Sequence, residues 1–308
     1  MKFFASLLAI TFFIPIATPV RGQAPAATAA DLIVTATPRY LPLAALTGGE
    51  RFPKGAELLL VHAGKAEPLL TGFWATADAH LSPDAKKVLF AAKPKAENPW
   101  QIWELSLFDR TERRLIAGPA DAIRPLYLPS GQFVFALRTP KGFQLTVAGK
   151  ASTATQAAID LHAGDTLKPL SYIPANAIPA DVLHDGRILF ESLYPLGAGS
   201  TPEMFLVYSD GSGVESYRCD HGVARWGGRQ LTSGDVVFTH GARLARFTSP
   251  LAHEAAITIP QGDYAGGIAE TRQGDWLLSE RADKAGHYAL KQGKPGVAAL
   301  RTLLARPG

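Results

Sequence analysis

Nine side chains are of types that could hold a polar ligand: Asp78, His80, Arg124, Asp181, His184, His221, Arg225, Arg229 and Glu270. Most stand just ahead of a turn that recurs along the chain, at comparable points of successive units. Their chemistry is mixed. Guanidinium groups donate planar pairs of hydrogen bonds to carboxylate or phosphate, carboxylates accept, and imidazoles do either. His80, Asp181, His184 and His221 also offer N and O donors of the kind a divalent cation takes. The same residue types also serve as solvated polar groups, and that reading stands beside ligand binding. The sequence names no metal and no cofactor.

Motifs for covalent or metal catalysis are missing. There is no Gly-x-Ser-x-Gly elbow and no α/β pattern to carry one. His253-Glu254-Ala255-Ala256-Ile257 begins like a zinc-protease helix but has Ile257 where the second His belongs, ahead of the strand-like Ile257-Thr258-Ile259. Asp210-Gly211-Ser212-Gly213 lacks the distal Glu of a calcium loop and reads as a hairpin turn. Gly262 to Gly267 reads as a connecting loop, not a phosphate cradle. Trp100, after Asn98-Pro99, and Trp226, before Gly227-Gly228, are expected in loops, where an indole face could meet a sugar ring. Trp74, Trp103 and Trp276 are expected in packing.

The elements that must position these residues come from a repeat. Five segments share a polar turn followed by an apolar run ending in a large residue. They are Ser82 to Phe90, Pro129 to Phe135, His184 to Phe190, Thr232 to Phe238 and Arg272 to Leu278. Their end positions, 90, 135, 190, 238 and 278, recur at roughly the interval of one four-stranded propeller blade. A Gly or Asp at the turn supplies positive φ for a tight reversal. The run after it lacks clean alternation, as expected of a strand buried on both faces. Third strands are expected near Gln101 to Leu107, Phe143 to Val147, Met204 to Tyr208, Arg243 to Phe247 and His287 to Lys291, with fourth pieces such as Arg113 to Ile116 and Ala298 to Leu304. Leu58 to Val61 and Pro68 to Leu70 read as outer strands of a further blade, with residues 31–47 as its inner strands. A short helical turn is expected near Thr155 to Leu161. The prediction is an all-β propeller of six four-stranded blades, with five or seven as alternatives.

The N-terminus reads as an export signal. Lys2 precedes the apolar run Phe3 to Ile14, Pro15 and Pro19 break it, and cleavage fits after Gly22. The domain prediction is a signal over 1–22, a small-residue linker over 23–30 and one propeller over 31–308. Losing Lys2 and Arg21 takes the net charge from +4 to +2. The remaining basic residues are scattered, so nucleic-acid binding is not expected. No stable membrane insertion is expected after cleavage, and the chain is expected to be monomeric. Cys219 is the single cysteine. It excludes a disulfide framework and c-type haem attachment, and it is expected to be buried as a small hydrophobe.

Leu81-Ser82-Pro83-Asp84-Ala85-Lys86 resembles the repeat core of TolB-type propellers, with Ala85 in place of Gly. Asp210 to Ser216, Cys219-Asp220-His221 and Leu244 to Ser249 are similar to secreted bacterial propeller proteins related to the hydrazine synthase alpha subunit. Those relatives tend to be longer. The resemblance implies a propeller and an address outside the cytoplasm. It does not bring the haem chemistry, because no Cys-x-x-Cys-His is present.

The functional expectation is a periplasmic or secreted non-catalytic propeller that binds a protein or cell-envelope ligand at the mouth of its channel. Two alternatives stand beside it. One is a metal-assisted polysaccharide lyase or hydrolase. The other is an accessory domain of a periplasmic redox complex.

Overall fold

The computed structural model describes residues 6–10 (backbone only), 31–149, 159–160, 167–241, 243–259, 262–264, 266–283, 287–297 and 299–305. It contains six four-stranded antiparallel sheets arranged as a propeller, plus a two-residue parallel pairing of Ile159–Asp160 with Ile116–Ala117. From the channel outward, blade 1 is Ser6–Ile10, Leu32–Thr37, Glu57–His62 and Lys65–Pro68. Blade 2 is Ala75–Leu81, Lys87–Lys93, Gln101–Ser106 and Glu112–Arg114. Blade 3 is Ala122–Tyr127, Phe133–Thr139, Gly142–Ala148 and Leu167–Pro169, and blade 4 is Ile178–Val182, Ile188–Tyr194, Thr201–Val207 and Glu215–Ser216. Blade 5 is Trp226–Gln230, Val236–His240, Arg243–Phe247 and Ala255–Ala256, and blade 6 is Ala269–Glu270, Trp276–Arg281, Tyr288–Gly293 and Arg301–Ala305.

The apolar runs of the repeat are the second strands, and they build the interfaces between blades. Successive strand residues point to opposite faces. Val88 and Phe90 therefore pack toward blade 1 while Leu89 packs toward blade 3. The rule recurs around the ring. Ile188 and Phe190 face blade 3 and Leu189 faces blade 5. Val236 and Phe238 face blade 4 and Val237 faces blade 6. Each large residue that ends the repeat is buried against the preceding blade, and both faces being apolar erases alternation. Leu277 and Leu290 of blade 6 pack against Leu32, Val34, Leu59 and Val61 of blade 1, which closes the ring. No strand is shared between those two blades, so side-chain packing rather than a mixed sheet joins them.

The repeat turns are built as expected. Gly131, Gly186, Gly234 and Gly274 have φ between 77° and 92°. Each donates its backbone N–H to the carbonyl three residues back, as in Gly186 N to Leu183 O at 2.8 Å. In blade 2 that place is held by Ala85, at φ 56°.

Several details differ from the expectation. Residues 31–47 do not supply both inner strands of blade 1. Only Leu32–Thr37 does, as its second strand, and Ser6–Ile10 pairs with it as the first. The outer strand of that blade is Lys65–Pro68, not Pro68 to Leu70. Ala44–Thr47 is a short 3₁₀ turn. Cys219 is exposed, not buried, because it sits in the polar loop after the short outer strand of blade 4. Of the turn expected near Thr155 to Leu161, only 159–160 lies within the described residues, and it is extended.

Candidate channel-mouth site

In blades 2 to 6 the first-to-second turn lies at one end of the channel, and the second-to-third loop lies at the other. The second-to-third loop of blade 1, residues 38–56, is long and folds over the channel. Its Leu46 carbonyl accepts from Asn176 Nδ2 at 2.9 Å, and its Gly48 carbonyl accepts from Arg138 at 3.1 Å. Phe52 is buried, with Tyr40 stacked on it at 5.4 Å and Trp100 beside it at 6.0 Å. These contacts hold Tyr40, Pro42 and Arg51 against a cavity of about 100 Å³ among the inner strands. A space that size takes a few waters or one small polar group, not a large molecule.

Four inner strands carry a β-bulge where they line this space. The register shifts fall between Ala77 and His80, Ile123 and Leu126, Pro179 and Asp181, and Trp226 and Arg229. An extra residue re-aims the side chains beside it. Two bulge residues have positive φ without being glycine: Asp78 at 59° and Arg124 at 55°. The matching residue of blade 5 is Gly227, at 70°. Holding a non-glycine residue there costs roughly 1–2 kcal/mol.

The cavity brings together five of the nine sequence candidates: Asp78, His80, Arg124, Asp181 and Arg229. Asp78, His80, Arg124 and Asp181 are each stitched to a neighbouring strand. The Asp78 carboxylate pairs with the buried Arg51 guanidinium, and its Oδ2 accepts from the Arg124 backbone N–H at 3.2 Å. His80 Nδ1 accepts from the Tyr127 N–H at 3.1 Å, so in the neutral ring Nε2 carries the proton. Asp181 Oδ2 accepts from the Gln230 N–H at 2.7 Å. Arg124 Nε donates to the Pro179 carbonyl at 3.0 Å, so its side chain reaches from blade 3 to blade 4. Glu191 joins from the second strand of blade 4 and accepts from the N–H groups of Gly227 and Gly228.

Electrostatics follow from burial. Desolvation pushes the Asp181 and Glu191 carboxyls above the ordinary range, against the opposing pull of Arg229 on Asp181 and Arg124 on Glu191. Burial, helped by Arg229 and Arg124, lowers His80 to about 3, so its ring stays neutral. Burial raises the Tyr40 hydroxyl, so it stays protonated. The site thus presents guanidinium groups beside carboxyls that resist ionisation.

The other four candidates sit outside this cavity. His184 lies in the exposed turn of blade 4, where its N–H donates to Gln230 Oε1 at 2.7 Å. His221 Nδ1 bonds Glu203 at 2.7 Å, with its ring against Tyr194. Arg225 is buried between Asp220 and Glu254, and Glu270 accepts from the Thr232 N–H at 2.6 Å. His80, Asp181, His184 and His221 therefore do not meet as one donor set. Among the described residues no three His, Cys, Asp or Glu side chains group to hold a metal ion.

Trp100 is buried, not exposed, with Nε1 donating to Glu50 at 3.0 Å. Trp226 lies on the inner strand of blade 5 and lines the cavity. Arg51, Glu191 and Tyr40 were not anticipated. Arg51 and Tyr40 come from a loop outside the repeat. Glu191 follows Phe190 inside an apolar run, and that position was the available signal, since a charge there is rarely buried without a partner. A wider groove of about 280 Å³ lies between blades 1 and 2, beside Trp74 and Lys54. Its hydroxyls are already engaged: Thr37 donates to the Gly55 carbonyl at 2.7 Å, and Thr76 accepts from the Leu58 N–H at 2.8 Å.

No family model and no curated relative matches the chain. Solved structures do. Hydrazine synthase from Kuenenia stuttgartiensis aligns with TM-score 0.74 at 14% identity, over 90% of this chain and 45% of that one. TolB from Acinetobacter baumannii aligns with TM-score 0.58 at 13% identity, over 78% of this chain and 57% of that one. Regucalcin, a calcium-binding protein from Agrobacterium tumefaciens, aligns with TM-score 0.52 at 12% identity, over 77% and 76%. The chain spans less than half the length of the hydrazine synthase chain it matches. At these identities the likeness is one of fold: a six-bladed β-propeller of the TolB type.

Proposed function

We propose that the chain is a non-catalytic binding propeller that works in the periplasm or outside the cell and takes a group of an envelope or protein ligand into its channel cavity. One observation carries the reading. Inner strands of four blades direct Asp78, His80, Arg124, Asp181 and Arg229 into one space, and two of those residues occupy strained backbone to do so. Strain persists where surrounding structure enforces it, and it concentrates at sites of function. The N-terminal run that reads as an export signal and the TolB-type fold support the address, and cleavage after Gly22 would take the Ser6–Ile10 strand out of blade 1. No helix among the described residues is long and apolar enough to cross a membrane.

The metal-assisted alternative lacks a grouped donor set among the described residues. The redox-accessory alternative lacks a haem attachment sequence. The test is recovery of an envelope component on the immobilised protein, with Arg229→Ala as the control. The reading expects a defined component held by the wild type and lost by the variant. Equal recovery on both, or none on either, contradicts it.

A further inference from the structure

Among the described residues, one that lines the cavity has a buried acceptor without a partner. Asp78 is 4% exposed, and its Oδ1 has no hydrogen-bond partner among the described residues, while Oδ2 serves Arg51 and the Arg124 N–H. A buried carboxylate oxygen left without a donor carries its full desolvation penalty. The cavity also has an open donor. Among the described residues, Arg124 bonds through its backbone N–H and its Nε, and no acceptor pairs with its two terminal amino groups. Yet its charge is felt by His80, Asp181 and Glu191. Its side chain is too short of described partners for a structural cation and well placed for an anion.

The two open groups are one arginine side chain apart. The Arg124 backbone touches Asp78, and its guanidinium reaches toward Pro179. A bridging ligand therefore carries its donor and its anion on neighbouring atoms. The donor is a neutral hydroxyl, because Asp78 already has the Arg51 charge beside it. The anion is a carboxylate, whose planar oxygens match the guanidinium fork.

We propose that the cavity recognises a small hydroxy-carboxylate, such as the end of a sugar acid, with its carboxylate on the Arg124 guanidinium and its adjacent hydroxyl on Asp78 Oδ1. This rests on the channel-cavity reading above. It also assigns Arg229 and Asp181 to the rim of the same group.

The test is calorimetric titration of the full chain with lactate, propionate, alanine, propane-1,2-diol and inorganic phosphate. Lactate should bind. Propionate, lacking the hydroxyl, should bind about tenfold more weakly or less, the loss expected for one hydrogen bond to a charged acceptor. Propanediol should not bind, and Arg124→Gln should abolish lactate binding while unfolding cooperatively like the wild type. Propionate as tight as lactate overturns the hydroxyl assignment. Alanine or phosphate tighter than lactate overturns the ligand class. Unchanged lactate binding in Arg124→Gln overturns the anchor. If no probe binds while the envelope component is still lost with Arg229→Ala, the hydroxy-carboxylate fails and the binding propeller stands. If lactate binds as described and no component is recovered, the opposite holds.

Discussion

The repeat turns and the inner-strand bulges both bend the chain through positive φ, but they use it differently. At the turns, four of five blades place glycine, and a Cβ at Gly186, Gly234 or Gly274 would meet nothing within 4 Å. The choice there concerns backbone conformation alone. At the bulges of blades 2 and 3 the chain keeps Asp78 and Arg124 at equally unfavourable angles. Their side chains enter the cavity, and blade 5 shows with Gly227 that glycine fits the same bend. Turns are built for stability, whereas bulges give up stability to place two charged groups.

That contrast can be broken from several sides. The largest effect belongs to the loop that covers the cavity. Arg51→Ala strips the partner from Asp78, whose side chain is 3% exposed, and should cost about 3–5 kcal/mol in denaturant unfolding. A loss under about 1 kcal/mol would show that the pair does not anchor the bulge. Gly186→Val tests a turn. It meets no steric clash, so it should cost about 1–2 kcal/mol through φ alone, read as a lowered Tm. A neutral result would mean the turn tolerates any residue.

The pH dependence sharpens the cavity side. Burial raises Glu191 in the folded state, so the unfolded chain ionises it more readily. Its contribution is fully present below the ordinary Glu pKa and is lost as pH rises through the folded value. Glu191→Gln keeps an oxygen to accept from Gly227 and Gly228 and removes that loss. The Tm of the variant should therefore gain on the wild type as pH rises from about 4. Parallel Tm profiles would contradict a buried, reluctant carboxyl. The smallest effect returns to the turns. Ala85→Gly should stabilise by about 0.5–1 kcal/mol, because Ala85 holds φ 56° where blades 3 to 6 use glycine.

The fold was legible because its signal is local and repeated. Gly186 before Ile188 to Phe190, or Gly234 before Val236 to Phe238, states a turn and a two-faced buried strand within a few residues. Blade 1 was read less well because it has no such turn. Its first and second strands, Ser6–Ile10 and Leu32–Thr37, are separated by many residues. The cavity was half legible. Position ahead of the turn picked out Asp78, His80, Arg124, Asp181 and Arg229, which the inner strands bring to one cavity. Arg225, picked by the same rule, and His221, offered as a metal donor, pair instead with Asp220, Glu254 and Glu203 outside that cavity. Bulges have no sequence mark of their own, so the register that aims Asp78 and Arg124 was invisible. Arg51 depends on a long-range fold-over that no spacing encodes.

The central claim is that Arg124 is kept at a strained position for what it binds. Thermal unfolding of Arg124→Gly beside the wild type, each with and without lactate, tests it most directly. Glycine relieves the backbone strain and gives up one hydrogen bond to Pro179, so the variant alone should match the wild type within about 0.5 kcal/mol. Lactate should raise the Tm of the wild type only. A variant that loses more than about 2 kcal/mol, or one that lactate stabilises as much as the wild type, would contradict the account.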